Sequence, residues 1–322
     1  MRAVQVQAYG GPEVLVAAEV ADPVAGPGEL LVRVAASGVN YIDTYHRTGV
    51  YPVPLPFTPG LEGAGEVVAV GDGVTEFGVG ARVAWASAIG SYAELAAVPA
   101  SAVVPVPDGV DLVVAASSML QGMTAHYLTT STYPVQAGDD VLVHAAAGGM
   151  GLLLTQFVKA KGGRVIGTVS TAEKEKLARE AGADEIIRYT EADVAEQARA
   201  LTGGRGVAVV YDGVGATTFD ASLASLRPRG VLALYGAASG QVPPVDLQRL
   251  NQAGSVYVTR PSLGHYTANR EELLWRSAEV LSGVADGSLN IRVGARYALS
   301  EARQAHEDLQ GRRTTGKVLL VG

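Results

Sequence analysis

Apolar and polar positions divide this chain into two regimes. Up to about residue 120 the apolar runs are short, at Arg2 to Gln7, Glu29 to Ala36, Gly65 to Val70 and Arg82 to Ala86. Turns such as Gly10-Gly11-Pro12, Ala25-Gly26-Pro27-Gly28 and Gly71-Asp72-Gly73 separate them, and Gly90 to Glu94 opens one more run. Short alternating runs with Gly and Pro punctuation predict strands, so this regime reads as a β-rich, partly closed barrel. Its little helical periodicity ends at Val113 to Tyr127, which predicts a helix bridging to the second regime.

That second regime alternates strand and helix. Val141 to His144 predicts a strand, Ala145 to Gly149 a turn of small residues, and Met150 to Lys159 a helix stopped by Gly162 and Gly163. Strands follow at Arg164 to Thr168, Glu185 to Arg188, Val207 to Asp212, Val231 to Tyr235 and Ser255 to Thr259. Helices come between them at Ala172 to Ala181, Asp193 to Thr202, Thr217 to Leu226 and near Asp246 to Asn251. Six strands with intervening helices predict an α/β fold with a doubly wound parallel sheet. Beyond Arg260-Pro261-Ser262-Leu263 the alternation breaks into a helix over Arg270 to Leu281 and strands at Arg296 to Leu299 and Gly316 to Val321. The last strand has no place in a complete six-strand sheet, so the tail is assigned to the first domain.

Composition narrows the function. With 322 residues the chain can form two domains, and a hydrophobic fraction of 48% with 18% charged residues is that of a globular protein. A net charge of −7 without a basic run argues against nucleic acid, and no apolar stretch reaches the roughly 20 residues that span a bilayer. The N-terminus carries no signal-peptide core, so a cytoplasmic protein is expected. The absence of cysteine removes disulfides, thiolate nucleophiles and Cys-based zinc sites together. His46, His126, His144, His265 and His306 show no metal-ligand spacing, so no metal site is expected.

Ala146-Ala147-Gly148-Gly149-Met150-Gly151 stands in the register of G-x-G-x-x-G, with alanine in the first place. Between strand and helix, such a turn aims free N–H groups and the positive helix end at a pyrophosphate. Gly148 would admit the phosphates and Gly151 close helix packing, while an ordinary β-α turn is the plainer alternative. NAD sites usually carry an acid about 20 residues on. Val169, Ser170 and Thr171 supply none, and Glu173 is explained by a capping box over Ser170 to Glu173. A neutral hydroxyl turn beside Lys174 suits the 2′-phosphate of NADPH. Strand-end loops Asp212 to Gly215 and Tyr235 to Gly240 fall at the same sheet edge. In the first regime, Ser37 to Pro52 gathers Asn40, Tyr41, Tyr45 and Tyr51, whose amide and phenols can donate hydrogen bonds or simply cap a core.

The motifs SGVNYIDTYHRTGVYP, GLEGAGEV, QGMTAHYL, HAAAGGMGLLLTQ, VVYDGVG, YVTRPSL and TTGKVLLV cover the chain from end to end. Together they resemble the zinc-free NADPH:quinone oxidoreductases, the zeta-crystallin-like branch of the medium-chain dehydrogenases/reductases. The resemblance implies a β-rich, GroES-like catalytic domain over 1–122 and 263–322 and a Rossmann NADP(H)-binding domain over 123–262. Asn40 stands near the place of a zinc-ligating Cys and Leu61 in that of a His, and the four-cysteine zinc lobe is absent. It further implies that Asn40, Tyr45 and Tyr51 line the substrate side of the cleft, and that Thr124 lies near the nicotinamide. Ala147, Gly148, Gly149, Met150 and Gly151 would hold the pyrophosphate, and Ser170, Lys174 and Tyr189 the 2′-phosphate. Gly236, Ser239, Gly240 and Leu263 would flank the nicotinamide and ribose, with Asn40 also reaching the cofactor and Lys317 closing the site.

The implied activity is metal-free hydride transfer from NADPH to a quinone. Two alternatives stand beside it: reduction of α,β-unsaturated ketones or aldehydes by the same geometry, and a non-catalytic NADPH-binding structural or regulatory protein. The apolar strand Ser255 to Thr259 reads as a sheet edge through which a homodimer would form.

Overall fold

Arg2–Gln5 (β1) and Val16–Glu19 (β2) pair antiparallel, and the long strand Glu29–Val39 (β3) follows. Next come helix Tyr41–Thr48 (α1) and strands Glu62–Val70 (β4), Arg82–Trp85 (β5), Leu95–Pro99 (β6) and Val103–Pro105 (β7). Helix Leu112–Tyr127 (α2) follows. The computed structural model describes all residues from 1 to 322.

Asp140–Val143 (β8), Arg164–Val169 (β9), Glu185–Arg188 (β10), Val207–Asp212 (β11), Leu226–Leu234 (β12) and Tyr257–Thr259 (β13) form the parallel sheet. Between them run Gly149–Ala160 (α3), Ala172–Glu180 (α4), Val194–Leu201 (α5), Phe219–Ser225 (α6) and Gln248–Gln252 (α7). The strand order is β10-β9-β8-β11-β12-β13, the doubly wound arrangement, in which successive strands are added to one side of β8 up to β10 and then to its other side from β11. Its core holds Leu142, Ile166, Ile187, Val210 and Leu232. β13 is an edge strand with Tyr257 exposed.

A short helix, Leu263–Tyr266 (α8), leads to Arg270–Asp286 (α9), Val293–Ala298 (β14), Ala302–Gln310 (α10) and Lys317–Val321 (β15). The first sheet runs β14-β15-β3-β4-β5-β7, and β6 also pairs with β3. Thus β15 lies antiparallel to the C-terminal half of β3, and Val39 faces Val318 across the ladder. The chain divides into two compact units, residues 1–123 with 267–322, and residues 124–266.

Some elements differ from the sequence expectation. β3 and β4 reach further, to Val39 and back to Glu62, and the strand expected from Gly90 begins only at Leu95. α1 and α10 were not expected at all. α1 interrupts the β-rich regime because Asn40 starts it in an extended conformation and Gly49, at φ 77°, ends it in the left-handed region. The capping residue of α4 is Thr171, whose hydroxyl accepts from the Lys174 N–H, and not Ser170.

Candidate cofactor and substrate sites

The glycine turn at the end of β8 has the form that a phosphate site needs. Gly148 is the N-cap of α3 and has no side chain to satisfy the first helical N–H groups, and no acidic residue stands in the first turn. A Cβ on Gly151 would lie 2.3 Å from the Ala145 carbonyl oxygen, so only glycine lets α3 start this close to β8. Ala145 sits at φ 51°, and its carbonyl accepts the Gly148 N–H at 2.9 Å. The backbone of Ala147, Gly149 and Met150 lines the same turn. These groups fit an anionic pyrophosphate at a helix N-terminus.

Ser170 and Tyr189 follow the ends of the paired strands β9 and β10, and the Tyr189 N–H reaches the Val169 carbonyl at 3.2 Å. The Thr190 hydroxyl donates to the Ser170 carbonyl at 3.3 Å. Lys174 lies in the first turn of α4. Glu173 is held low in pKa by its own N–H and then by the Thr171 hydroxyl, so its carboxylate belongs to the helix start. Arg188 is committed to Glu175 at 2.8 Å and Glu191 at 3.2 Å.

The loops after β11 and β12 lock together. Cβ atoms on Gly236 and Gly213 would strike the Gly213 carbonyl at 2.4 Å and the Tyr235 ring at 2.8 Å. The Ser239 hydroxyl donates to Val214 O at 2.9 Å and accepts from Thr217 N at 3.0 Å, while Gly240, at φ 110°, accepts the Ala216 N–H. Ser239 therefore fastens one loop to the other. Thr124 is buried in α2, and Leu263 opens α8.

In the other unit the expected residues meet a polar network that the sequence did not announce. Asn40 is buried, and its amide donates to Glu62 Oε2 at 2.7 Å and to Gly38 O at 3.2 Å. Its Oδ1 accepts from Lys317 Nζ at 2.7 Å. Lys317 also pairs with Glu62 Oε2 at 2.5 Å, and Glu62 Oε1 accepts the Leu120 N–H at 2.8 Å. Both amide protons of Asn40 are thus engaged, and the Lys317 ammonium holds Asn40 in place. Gly38 makes the room, because a Cβ there would lie 2.1 Å from Glu62.

A second chain fixes α1. Asp43 Oδ2 accepts the Asn40 N–H at 2.8 Å and the Tyr92 hydroxyl at 2.9 Å. Tyr92 meets His306 Nε2 at 3.1 Å, and His306 Nδ1 meets Arg47 NH1 at 3.1 Å. Arg47 can only donate, so Nδ1 accepts and the ring carries its proton on Nε2. That proton goes to Tyr92, which passes its own to Asp43. Burial pushes the Asp43 carboxyl up to about 6, against the Asn40 N–H, and pulls His306 down to about 3, with Arg47 adding to the effect. Burial also raises the Tyr92 phenol far above its usual range.

Tyr45 and Tyr51 are set edge to face with ring centroids 5.5 Å apart, and Tyr41 tilts against Tyr45 at 6.1 Å. The Tyr51 N–H donates to the Tyr45 carbonyl at 3.1 Å, and Tyr51 is 43% exposed. Asn40, Tyr45 and Tyr51 are therefore gathered by α1 and the turn after it. Glu62, Asp43, Tyr92 and His306 escaped the sequence reading. The one available signal was Glu62, the first of two carboxylates among the small residues of GLEGAGEV and the one that the fold buries.

No group of three or more His, Cys, Asp or Glu side chains is placed to hold a metal ion. Glu62 is already neutralised by Lys317, so this donor set does not fit zinc.

The family descriptions that match are an Alcohol dehydrogenase GroES-like domain over residues 26–108 and a Zinc-binding dehydrogenase over 149–277. A quinone oxidoreductase of Pseudomonas aeruginosa is 47% identical over 99% of this chain and 98% of its own. A 2-haloacrylate reductase of a Burkholderia species is 44% identical over 97% of this chain and 96% of its own. A mycobacterial protein solved in complex with NADPH superposes with a TM-score of 0.97 at 56% identity, covering 100% of both chains. Whole-length identity at this level, on this strand order and without a zinc donor set, makes the chain a member of the zinc-free quinone oxidoreductase family of the medium-chain dehydrogenases/reductases.

Proposed function

We propose that the protein is an NADPH:quinone oxidoreductase that works without a metal. The observation that carries this reading is the turn at Gly148, where α3 starts without a side-chain cap against the Ala145 carbonyl. When bound, NADPH supplies a hydride from C4 of its nicotinamide. Ala147 to Gly151 hold the pyrophosphate, and Ser170, Lys174 and Tyr189 the 2′-phosphate, for which the missing acid and the helix-bound Glu173 leave room. Thr124, Gly236, Ser239, Gly240 and Leu263 belong to the nicotinamide end of the same cofactor.

Negative charge develops on the acceptor oxygen as hydride arrives, and fixed donors stabilise it. The exposed Tyr51 phenol, oriented by Tyr45, supplies such a donor. Asn40, with both amide protons engaged, shapes the site through its carbonyl oxygen, and Lys317 and Glu62 hold it there. The acceptor is a quinone, whose reduced ring already spreads the charge. The division of labour follows the domains 1–122 with 263–322 and 123–262.

A second reading, hydride transfer to an electron-poor carbon–carbon double bond, is favoured by the similarity to the 2-haloacrylate reductase. Anaerobic stopped-flow oxidation of NADPH and NADH, with 1,4-benzoquinone and an enone as separate acceptors, tests both. Fast NADPH oxidation by the quinone, weak NADH use and no response to zinc support the first reading. Turnover of the enone alone replaces it with the second, and binding without turnover replaces both with a non-catalytic role.

The exposed edge at Tyr257 and Val258 supports pairing with a second copy, in a cytoplasmic homodimer. Light scattering at micromolar concentration that returned a monomer mass would reject the dimer.

A further inference from the structure

His144 precedes the glycine turn, is buried, and makes two side-chain contacts. Its Nε2 lies 2.9 Å from Ser222 Oγ, and its Nδ1 lies 3.1 Å from Thr168 Oγ1. Ser222 Oγ in turn lies 2.7 Å from Asp212 Oδ2. Asp212, fully buried at the end of β11, also accepts the N–H groups of Val214 and Gly215 and the Thr218 hydroxyl. At the other end, the Ala145 N–H donates to Thr168 Oγ1 at 3.3 Å.

The chemistry of the groups fixes the direction of every proton. Asp212 acts as an acceptor throughout, so the Ser222 hydroxyl donates to it and must accept from His144 Nε2–H. Nδ1 then carries a lone pair and accepts the Thr168 hydroxyl proton. That leaves the Thr168 oxygen to accept the Ala145 N–H. No position in the chain is left to choice.

The far end of this chain is the strained residue of the phosphate turn. A non-glycine residue in the left-handed region is disfavoured by the closeness of its Cβ to the backbone unless its surroundings hold it. Ala145 is held on both sides, by Thr168 at its N–H and by Gly148 at its carbonyl. That carbonyl sets where Gly148 starts α3.

We infer that Asp212, Ser222, His144 and Thr168 are positioning residues for the pyrophosphate turn, tying the end of β11 to the N–H groups of α3 through Ala145. The inference rests on the proposal that the turn binds the cofactor. It adds that pyrophosphate affinity is set by buried groups that do not touch the ligand. Losing one such bond should lower affinity by about tenfold, the effect of one net hydrogen bond.

The test uses S222A and T168V, with T168S restoring the hydroxyl. The affinities of NADPH, NADH and adenosine 2′-monophosphate are measured by fluorescence titration and competition. S222A and T168V should weaken NADPH and NADH by the same factor, about tenfold. Adenosine 2′-monophosphate, which has no pyrophosphate, should bind as to the wild type, and T168S should recover both dinucleotides. Should T168V fail to fold, S222A and T168S still decide. Wild-type affinity for NADPH in S222A overturns the inference, as does a loss for the monophosphate equal to that for NADPH, since that reports general damage to the unit. A wild-type protein that binds the monophosphate but neither dinucleotide rejects the assignment of the turn itself, and the inference with it.

Discussion

Replacing Asp43 with asparagine should make the first unit lose stability in acid more steeply than the wild type does. The Asp43 carboxyl is raised from 3.8 to about 6, so the folded state holds its proton more tightly than the unfolded chain. Its contribution to stability therefore grows as pH falls from about 6 to 3.8 and is lost again as pH rises through about 6. His306 works in the opposite direction: with its folded pKa lowered from 6.5 to about 3, it costs nothing above 6.5 and destabilises progressively as pH falls towards 3. Each group changes stability by about 1.4 kcal/mol per pH unit inside its window. Over the shared window, 3.8 to about 6, the two slopes cancel in the wild type.

D43N removes one slope and leaves the other. Relative to the wild type, the variant should lose about 3 kcal/mol between pH 6 and 4, the product of that slope and the Asp43 window. The assay is urea denaturation at pH 7, 6, 5 and 4, followed by tryptophan fluorescence. Trp85 and Trp275 are the two tryptophans of the chain and both lie in the first unit, so the signal reports that unit. Taking the difference between variant and wild type at each pH removes every other titrating carboxylate. A difference independent of pH would refute the reasoning, because it would mean that the Asn40 N–H and Tyr92 hydroxyl keep the carboxylate ionised in the fold.

Other substitutions test single contacts. E62Q removes the charge that balances Lys317 in the interior, and a broken buried pair costs about 3–5 kcal/mol, so the same fluorescence assay should show a strong loss of stability at pH 7. G151A puts a methyl group 2.3 Å from the Ala145 carbonyl, and isothermal titration should find NADPH binding weakened by at least about tenfold. K174A should raise the KM for NADPH about tenfold and leave that for NADH unchanged, if Lys174 binds the 2′-phosphate as proposed. Y51F should lower kcat with 1,4-benzoquinone by about tenfold to a hundredfold without changing the Kd for NADPH.

The parts of the fold that could be read from the sequence are those specified by neighbours in the chain. β8, the glycine turn, α3 and β9 form one continuous stretch in which period, turn residues and helix stop all agree, and the six strands follow from repeating that logic. α1 carried local signals as well, Asn40 before it and Gly49 after it. Its eight residues include three Tyr or Ile and two Thr, which read as β-like, and its surroundings were strands. Asn40, Tyr45 and Tyr51 could still be singled out, because a run of phenols and an amide is conspicuous whatever its secondary structure.

What holds those residues in place was beyond the sequence, because its members meet only through the fold. Lys317 comes to Asn40 across 277 positions, when β15 pairs with the end of β3, and His306 comes to Tyr92 across 214. No spacing rule links such residues. The tail motif TTGKVLLV pointed to Lys317 by resemblance alone, without a partner, and in the fold the tail supplies the cation that neutralises Glu62 and the imidazole that orders Tyr92. The Arg47 to Asp43 chain and the Glu62–Lys317 pair both end on Asn40, one at its backbone N–H and one at its side chain. A residue gripped at both places has a fixed carbonyl and a fixed helix start, so α1 and the turn after it present Tyr45 and Tyr51 in one arrangement. Rigidity at that position is therefore made by parts of the chain that neither the substrate nor the cofactor need touch.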